Sequence, residues 1–229
     1  MNKVEIADII VSKIKQNKDY LKKEFEKSAA GIGCFFVDDL LPNELATRLA
    51  GKFPNSDQMV LKKSLREDKF IGVQMNQYDS LLEETIYAFQ DERIVRLVSE
   101  ITELQHIFPD EKLYAGGISL MKKDQFLNPH LDNSHDKDRE RWRVLNLLYY
   151  VTPNWKLENG GNLELWPNGL KNKPVVIESK FNRLAVMATH NNSLHSVSPV
   201  VENVERRCIS NYYFSSVPVR QDDTFHVTS

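Results

Sequence analysis

Apolar residues in the first hundred positions mostly recur at the spacing of α-helices. Residues 1–30 carry isoleucines and leucines at this spacing among many lysines, which predicts an amphipathic helix packed on the rest of the domain. Residues 80–104 repeat the pattern and predict one long helix or two consecutive helices. The segments between them predict a strand at 32–37, a helix at 42–53 that begins at Pro42, and a short strand at 72–75.

After Pro109 the pattern changes to short apolar runs separated by Gly, Pro and Asn. The runs lie at residues 113–121, 144–151, 162–166, 175–177, 184–188, 197–201 and 208–214. Many short strands at such spacing predict a β-sandwich or barrel. No repeat or linker interrupts the chain. We therefore expect one domain, residues 1–229, in which a helical layer (about 1–110) supports a β core (about 111–217).

Composition narrows the class of protein. The 229 residues carry 30 basic and 32 acidic side chains, a net charge of −2, and no basic stripe, so nucleic acid is not an expected partner. Two cysteines in no CxxC pattern indicate a reducing compartment. Neither a signal-like N-terminus nor an apolar run long enough to span a membrane is present. We expect a cytoplasmic protein without a membrane partner. The oligomeric state stays open.

The tripeptide His130-Leu131-Asp132 is the strongest candidate for chemistry. Side chains two residues apart on an extended segment point to the same face, so an imidazole and a carboxylate can bind one metal ion. His195 can supply a third ligand. Two His and one carboxylate form the facial triad of non-haem Fe(II) oxygenases, which leaves three coordination positions open. Zinc is the alternative, although the helical HExxH arrangement of zinc proteases is missing.

Other polar side chains compete for the third position. His135 and Asp136 lie in a strongly charged run, residues 133–141, that predicts an exposed, mobile loop at the entrance to the site. His190 precedes a turn cluster and is expected to end a strand. Neither fits as well as His195. About ten residues after His195, Arg206 and Arg207 offer a basic anchor for an acidic co-substrate.

The ordered motifs resemble the Fe(II)/2-oxoglutarate oxygenase superfamily in its prolyl-hydroxylase-like branch. They are His130-Leu131-Asp132, Trp155, and residues 143–150 (RVLNLLYY), 160–167 (GGNLELWP), 195–199 (HSVSP) and 206–214 (RRCISNYYF), with 35–42 (FFVDDLLP) as an entry segment. The resemblance covers about residues 112–217. It implies a double-stranded β-helix, a jelly-roll barrel, with the metal ligands His130, Asp132 and His195 inside its open end.

The resemblance also implies a set of co-substrate contacts. Arg206 matches the residue that pairs with the distal carboxylate of 2-oxoglutarate, and strand alternation turns Arg207 to the opposite face. Cys208 stands where relatives often place a small hydroxyl residue, which is a departure from the family pattern. Tyr150 matches a co-substrate contact, and Asn146 shares its face. These last two are equally well explained as buried polar residues with local partners.

The expected activity is a 2-oxoglutarate-dependent dioxygenase that uses Fe(II) and O2, with ascorbate as a supporting reductant. It would release succinate and CO2 and hydroxylate an unactivated C–H bond of a small-molecule or amino-acid-type substrate. Halogenating relatives lack the carboxylate ligand, so the presence of Asp132 favours hydroxylation. Two alternatives stay open, a protein prolyl hydroxylase and a non-catalytic, cupin-like metal-binding protein.

Overall fold

The computed structural model describes residues 1–220 and contains helices mainly before residue 103 and strands mainly after it. The described helices are α1 (Lys3–Ser28), α2 (Asn43–Gly51), α3 (Ser80–Ala88) and α4 (Glu92–Thr102). The described strands are β1 (Cys34–Val37), β2 (Val60–Lys63), β3 (Glu67–Gly72), β4 (Ile107–Pro109), β5 (Gly117–Met121), β6 (Phe126–His130), β7 (Trp142–Tyr150), β8 (Leu163–Leu165), β9 (Val175–Ile177), β10 (Arg183–Ala188), β11 (His195–Val197) and β12 (Arg206–Ser215). Residues 221–229, which the domain prediction includes, lie outside the described part.

The strands pair antiparallel in two runs joined by one strand. The first run is β1-β10-β7-β12-β5 and the second is β6-β11-β8-β9. Strand β3 pairs with both β5 and β6, and so it connects the runs. Because β3 bridges the two runs, it stands beside the strand that carries the HxD motif.

The two faces of the first run are packed differently. One face forms the largest hydrophobic cluster together with the helices, and its members include Ile6, Ile10, Leu49, Leu82, Val98, Leu145, Leu184 and Ile209. The opposite face contributes to a second cluster with β8 and β9, made of Ile32, Tyr150, Leu163, Leu165, Ile177, Ala185, Met187 and Cys208. The helices therefore cover the outside of the barrel, and the second cluster fills its interior.

Helix α1 is fixed at its start and along one face. The side chain of Asn2 accepts hydrogen bonds from the backbone N–H groups of Val4 and Glu5, and Glu5 in return accepts from the backbone of Asn2. Its buried face packs against α3, α4 and β1. This packing is the domain contact that the sequence predicted for residues 1–30. No helix among residues 1–220 is long and apolar enough to cross a membrane.

The division into helical and β parts at residue 110 is wrong in detail. Strand β1 pairs with β10, and the β2–β3 hairpin is part of the sheet, although both precede residue 110. Only β1 was predicted as a strand; the predicted strand at 72–75 is instead the end of β3 and a short 3₁₀ turn. The hairpin escaped prediction because β2 is exposed along its whole length and β3 is half-buried and charged. In neither strand do buried apolar residues alternate with exposed polar ones.

Of two other predicted segments, the first is confirmed as two consecutive helices and the second is shifted. Residues 80–104 form two helices separated by Asp91, whose side chain accepts from the backbone of Arg93 and so begins α4. The strand predicted at 197–201 occupies 195–197, since Pro199 has no N–H group with which to continue the ladder. That shift places His195 on a strand.

The continuous packing of α1 on the sheet predicts that helices and barrel unfold together. The Ile10 side chain is fully buried, and Ile10→Ala should lower the free energy of unfolding by about 2–5 kcal/mol. The three tryptophans all follow residue 140, so their fluorescence reports on the barrel while far-ultraviolet circular dichroism reports on the helices. Both signals should shift to the same lower denaturant midpoint.

The matched control is Val4→Ala on the same helix, where the side chain is 53% exposed and should change stability little. Two separate transitions in Ile10→Ala, with the fluorescence midpoint unmoved, would contradict a single cooperative unit.

Candidate metal centre and co-substrate pocket

Strand register brings the two histidines of the predicted triad together. His130 is the last residue of β6, and His195 is the first residue of β11. These strands pair antiparallel with His195 directly opposite His130, so both side chains point to one face. Their ring centres are 4.3 Å apart. Asp132 follows β6 after one residue and completes the cluster.

The geometry of the cluster suits one metal ion. The Nε2 atom of His130 lies 3.6 Å from Asp132 Oδ1, and the Nε2 atom of His195 lies 3.5 Å from Asp132 Oδ2. One ligand atom from each residue lies within 4.8 Å of the other two, and all three residues are buried. Two imidazoles and one carboxylate on one side of a cavity are the donors of a facial triad.

Hydrogen bonds fix which ring nitrogen of each histidine faces the cluster. His130 Nδ1 is 2.8 Å from the carbonyl oxygen of Asn128, and His195 Nδ1 is 2.9 Å from that of Ser193. A carbonyl only accepts, so each Nδ1 must carry the proton and donate it. Each Nε2 is then left with a lone pair directed at the cluster, which is the arrangement found in metal-bound histidines.

Asp132 stays ionised although it is buried. Burial opposes ionisation, but the charge of Arg143 and the two histidines outweigh it and hold the pKa of Asp132 well below its usual range. Asn146 Nδ2 donates to Asp132 Oδ2 at 2.7 Å, and Arg143 Nη2 lies 3.5 Å from the same oxygen. Burial lowers the pKa of His195 to about 4, so its imidazole is neutral at pH 7. These are the protonation states that a metal ion requires.

Arg143 was missed by the sequence reasoning. Its Nε donates to Asn146 Oδ1 at 3.1 Å, and its guanidinium lies 3.7 Å from the ring centre of Tyr212. A register shift in the pairing of β12 with β7, between Tyr213 and Phe214, changes the pairing next to Arg143. Regular strand alternation could not have placed Arg143 and Asn146 together, so no sequence signal pointed to it.

A second polar cluster lies in the interior around Arg206. Its Nε donates to Ser179 Oγ at 3.0 Å, and its guanidinium lies 5.0 Å from the ring centre of Tyr150. Arg206 is only 3% exposed, yet it forms no ion pair with any described carboxylate. Arg207 has turned the other way, as alternation predicted, and it binds Ala50 O and Glu205. A buried cation without an anion is costly unless a ligand completes it.

Tyr150, which lies beside Arg206, is a second buried polar residue whose bonding is incomplete. It is completely buried, and its hydroxyl has no hydrogen-bond partner among the described residues. Burial raises its pKa to about 12, so the hydroxyl keeps its proton and can donate it. Since buried hydroxyls are nearly always bonded, this group and the Arg206 guanidinium fit the carboxylate of a bound ligand.

The remaining predicted residues have clear positions. Cys208 is buried in the same interior cluster as Tyr150, with its thiol 3.7 Å from Ser210 Oγ. Asn146 lies nearer the metal cluster than the Arg206 cluster, because its amide is bound to Asp132. Ser179 was not singled out from the sequence, where an isolated serine between strands carries no signal.

The charged segment 133–141 is only partly the exposed loop that was predicted. Residues 137–140 are exposed, but Ser134 and His135 are buried. The His135 ring packs on Trp142 with ring centres 4.0 Å apart, and the two residues form a β-bridge. The Asp136 carboxylate accepts from the backbone of Glu140, which closes a turn. His135 is therefore a packing residue of an ordered turn, and its assignment to a solvated loop is wrong.

Gly160 and Gly161 lie where the backbone passes close to neighbouring segments. Both have positive φ, 71° and 61°. A Cβ added at Gly160 would lie 2.0 Å from Pro199 O, and one at Gly161 would lie 2.9 Å from Arg206 Cδ. A larger residue at Gly161 would therefore displace the Arg206 side chain.

Comparison with known proteins gives one family match. Residues 116–214 match the model of the 2OG-Fe(II) oxygenase superfamily. These residues contain both polar clusters. A search of curated protein sequences found no match.

Several solved structures share the fold at low sequence identity. A Pseudomonas putida prolyl-4-hydroxylase is 17% identical, with a TM-score of 0.60 over 85% of this chain and 98% of that one. A Trichoplax adhaerens prolyl hydroxylase, solved with a peptide fragment of hypoxia inducible factor, is 20% identical, with a TM-score of 0.59 over 87% and 91%. HygX of Streptomyces hygroscopicus, solved with nickel, 2-oxoglutarate and hygromycin B, is 11% identical, with a TM-score of 0.57 over 84% and 86%. They confirm the predicted fold, a double-stranded β-helix preceded by helices.

The hydrogen bond from Asn146 to Asp132 predicts a role in metal affinity. Asn146→Ala removes the donor that orients one carboxylate oxygen, and changes of this kind weaken metal binding about 10–100-fold. The measurement is an anaerobic titration of the purified variant with Fe(II).

The matched control is Tyr149→Phe on the same strand. Tyr149 is equally buried and also loses one hydrogen bond, to Asn182, but it faces the helices. It should lower stability while leaving Fe(II) affinity unchanged. Equal weakening of Fe(II) binding in both variants would mean that Asn146 acts only through stability.

Proposed function

We propose a hydroxylase function for this chain, whose residues 116–214 belong to the 2OG-Fe(II) oxygenase superfamily. The family match confirms the predicted enzyme class, a 2-oxoglutarate-dependent dioxygenase, and its predicted cofactors Fe(II), 2-oxoglutarate and O2. The finer proposal is that the enzyme hydroxylates an unactivated C–H bond of a small-molecule or amino-acid-type substrate, with release of succinate and CO2.

The observation that carries the proposal is the unpaired Arg206 guanidinium inside the same barrel as the triad. Two imidazoles and an ionised carboxylate would hold Fe(II) through His130, Asp132 and His195. Arg206 and the unpartnered hydroxyl of Tyr150 would hold the distal carboxylate of 2-oxoglutarate, with Ser179 supporting the guanidinium. A protein that only bound a metal ion would not need a buried, unpaired cation such as Arg206.

Each group of residues has a separate task. The iron and its co-substrates supply the oxidising chemistry, and the protein supplies binding, orientation and exclusion of water. Arg143 offsets the charge of Asp132, and the hydrogen bond from Asn146 orients its carboxylate. Leu163 and Leu165, on the strand beside His195, line the interior with apolar groups that exclude bulk water. The presence of the carboxylate ligand Asp132 favours hydroxylation over halogenation.

A protein prolyl hydroxylase is the second candidate. It is supported by the similarity to prolyl hydroxylases, one of which was solved with a peptide fragment. A non-catalytic, cupin-like protein would explain the triad but not the unpaired Arg206. For location we propose the cytoplasm, because both cysteines, Cys34 and Cys208, are free thiols.

Arg206 and Arg207 form a natural pair of test and control. Arg206→Ala removes the charged contact to the distal carboxylate, which should weaken 2-oxoglutarate binding about 10–100-fold, since hydrogen bonds to charged groups contribute about 1.5–3 kcal/mol. Arg207→Ala removes only contacts on the opposite face, to Ala50 and Glu205. Equilibrium binding of 2-oxoglutarate to the Fe(II)-loaded protein without O2 checks this. Equal, small effects would place the anchor elsewhere.

The triad predicts that His195→Ala loses both metal binding and turnover of 2-oxoglutarate. Removal of one of three ligands leaves a site that no longer fits a facial triad. His106→Asn is the control: His106 is exposed and has a positive φ of 52°, which asparagine tolerates. Bound Fe(II) per chain and succinate formation are measured together. Full iron binding by His195→Ala would refute the ligand assignment.

A further inference from the structure

Strand β3 lies between β6, which carries His130, and β5, which pairs with the Arg206-bearing strand β12. Its Glu67 is paired opposite Leu127 of β6, three residues before His130. Its Ile71 is paired opposite Ser119 of β5, which is itself opposite Cys208 of β12. The β2–β3 turn is also tied to β6, because Asn128 donates to the backbone oxygens of residues 65 and 66.

Register decides which side chains of β3 face the interior. Ile71 shares a face with Ser119 and Cys208, and Cys208 belongs to the interior cluster. Side chains alternate along a strand, so Lys69 and Glu67 point to the same interior face as Ile71. Phe70 lies on the other face and packs on the helix-side cluster.

Glu67 and Lys69 form an ion pair within this opening. Lys69 Nζ is 2.8 Å from Glu67 Oε2, and the two side chains are 25% and 21% exposed. Burial acts to raise the pKa of Glu67, but Lys69, Arg66 and His130 outweigh it, and the pKa is lowered. Burial raises the pKa of the Cys208 thiol, and the charges of Arg206 and Lys69 oppose that rise. The charge of Lys69 therefore acts on the co-substrate cluster, and Glu67 is paired with the strand that carries His130.

An ion pair of this kind contributes little to stability, because desolvation offsets most of the attraction. The pair can, however, determine by charge which ligands bind. A ligand with one charge would neutralise one partner and leave the other half-buried and unpaired, which is unfavourable. A ligand with adjacent ammonium and carboxylate groups can separate the pair and replace one ion pair by two, with no net charge added to the site.

We propose that Glu67 and Lys69 form a subsite for a zwitterionic substrate, Glu67 binding its ammonium group and Lys69 its carboxylate. The substrate class is then a free α-amino acid or a close analogue, whose two charges are carried on one carbon. A residue within a polypeptide has neither charge, so the subsite favours a small-molecule substrate over a protein prolyl residue. This inference rests on the proposed function, because it assigns the substrate of that same site.

The test uses free L-amino acids, each with its α-amide and its N-acetyl derivative, added to the Fe(II)-loaded full chain with 2-oxoglutarate and O2. Succinate formation above the substrate-free rate is the readout. At least one free amino acid should stimulate it, and the two blocked forms of that amino acid should not. With the stimulating amino acid, Glu67→Gln and Lys69→Met should each raise the KM about tenfold or more, as expected for loss of a charged hydrogen bond.

The control variant is Lys63→Met, which breaks the neighbouring ion pair of the same hairpin, between Lys63 and Asp68. It should leave the KM for the amino acid unchanged. Blocked forms that stimulate as well as the free amino acid, no stimulation by any free amino acid, or equal KM changes in all three variants would each overturn the subsite.

Failure of the proposed function has a different signature. In that case no 2-oxoglutarate is bound or turned over under any condition, and the Arg206→Ala comparison shows no difference from the unmodified chain. If only the subsite is wrong, 2-oxoglutarate still binds through Arg206 while amino acids have no effect. A loss of 2-oxoglutarate affinity in Lys69→Met would instead assign Lys69 to the co-substrate and overturn its role in substrate binding.

Discussion

The site depends on keeping one carboxylate ionised inside the barrel. Asp132 is buried, and isolation in a low-dielectric interior would favour its neutral form. The charge of Arg143 and the two histidines reverse that preference and lower the pKa of Asp132, to which Asn146 also donates a hydrogen bond. The Nδ1 hydrogen bonds of His130 and His195 turn both Nε2 atoms toward the cluster. The triad thus has the charge and tautomers of a metal site because of residues on three different strands. A divalent cation would bind to ligands already in their required states.

The second polar cluster of the barrel contains a buried positive charge instead of a negative one. Arg206 is a buried cation without a described anionic partner, and Tyr150 beside it has a hydroxyl without a described acceptor. The buried anion Asp132 can be paired by a cationic ligand, and the buried cation Arg206 can be paired by an anionic ligand. A divalent metal ion and a dicarboxylate meet that need together, which is the physical content of the match to the 2OG-Fe(II) oxygenase superfamily.

The sequence predicted those parts of the molecule that follow regular periodicity. The helical spacing of residues 1–30, seven of the eight strands after Pro109 and the HxD motif were visible, because burial of one face imposes a period of 3.6 or 2. The β2–β3 hairpin was not visible, since β2 is exposed along its whole length and β3 carries charges on its interior face. Arg143 was hidden by the register shift in the pairing of β12 with β7. Sequence reasoning therefore identified the three residues that the structure brings together as a candidate metal site, and it missed residues that irregular pairing brings to them.

The central claim is that this chain couples O2 reduction to oxidation of 2-oxoglutarate at the His130, Asp132 and His195 cluster. The most direct measurement follows ¹⁸O from labelled O2 into succinate by mass spectrometry, with Fe(II) and 2-oxoglutarate supplied. A dioxygenase places one labelled atom in each succinate, and Asp132→Ala should yield none. Iron binding without succinate, or succinate free of label, would contradict the account and leave a metal-binding protein without oxygenase activity.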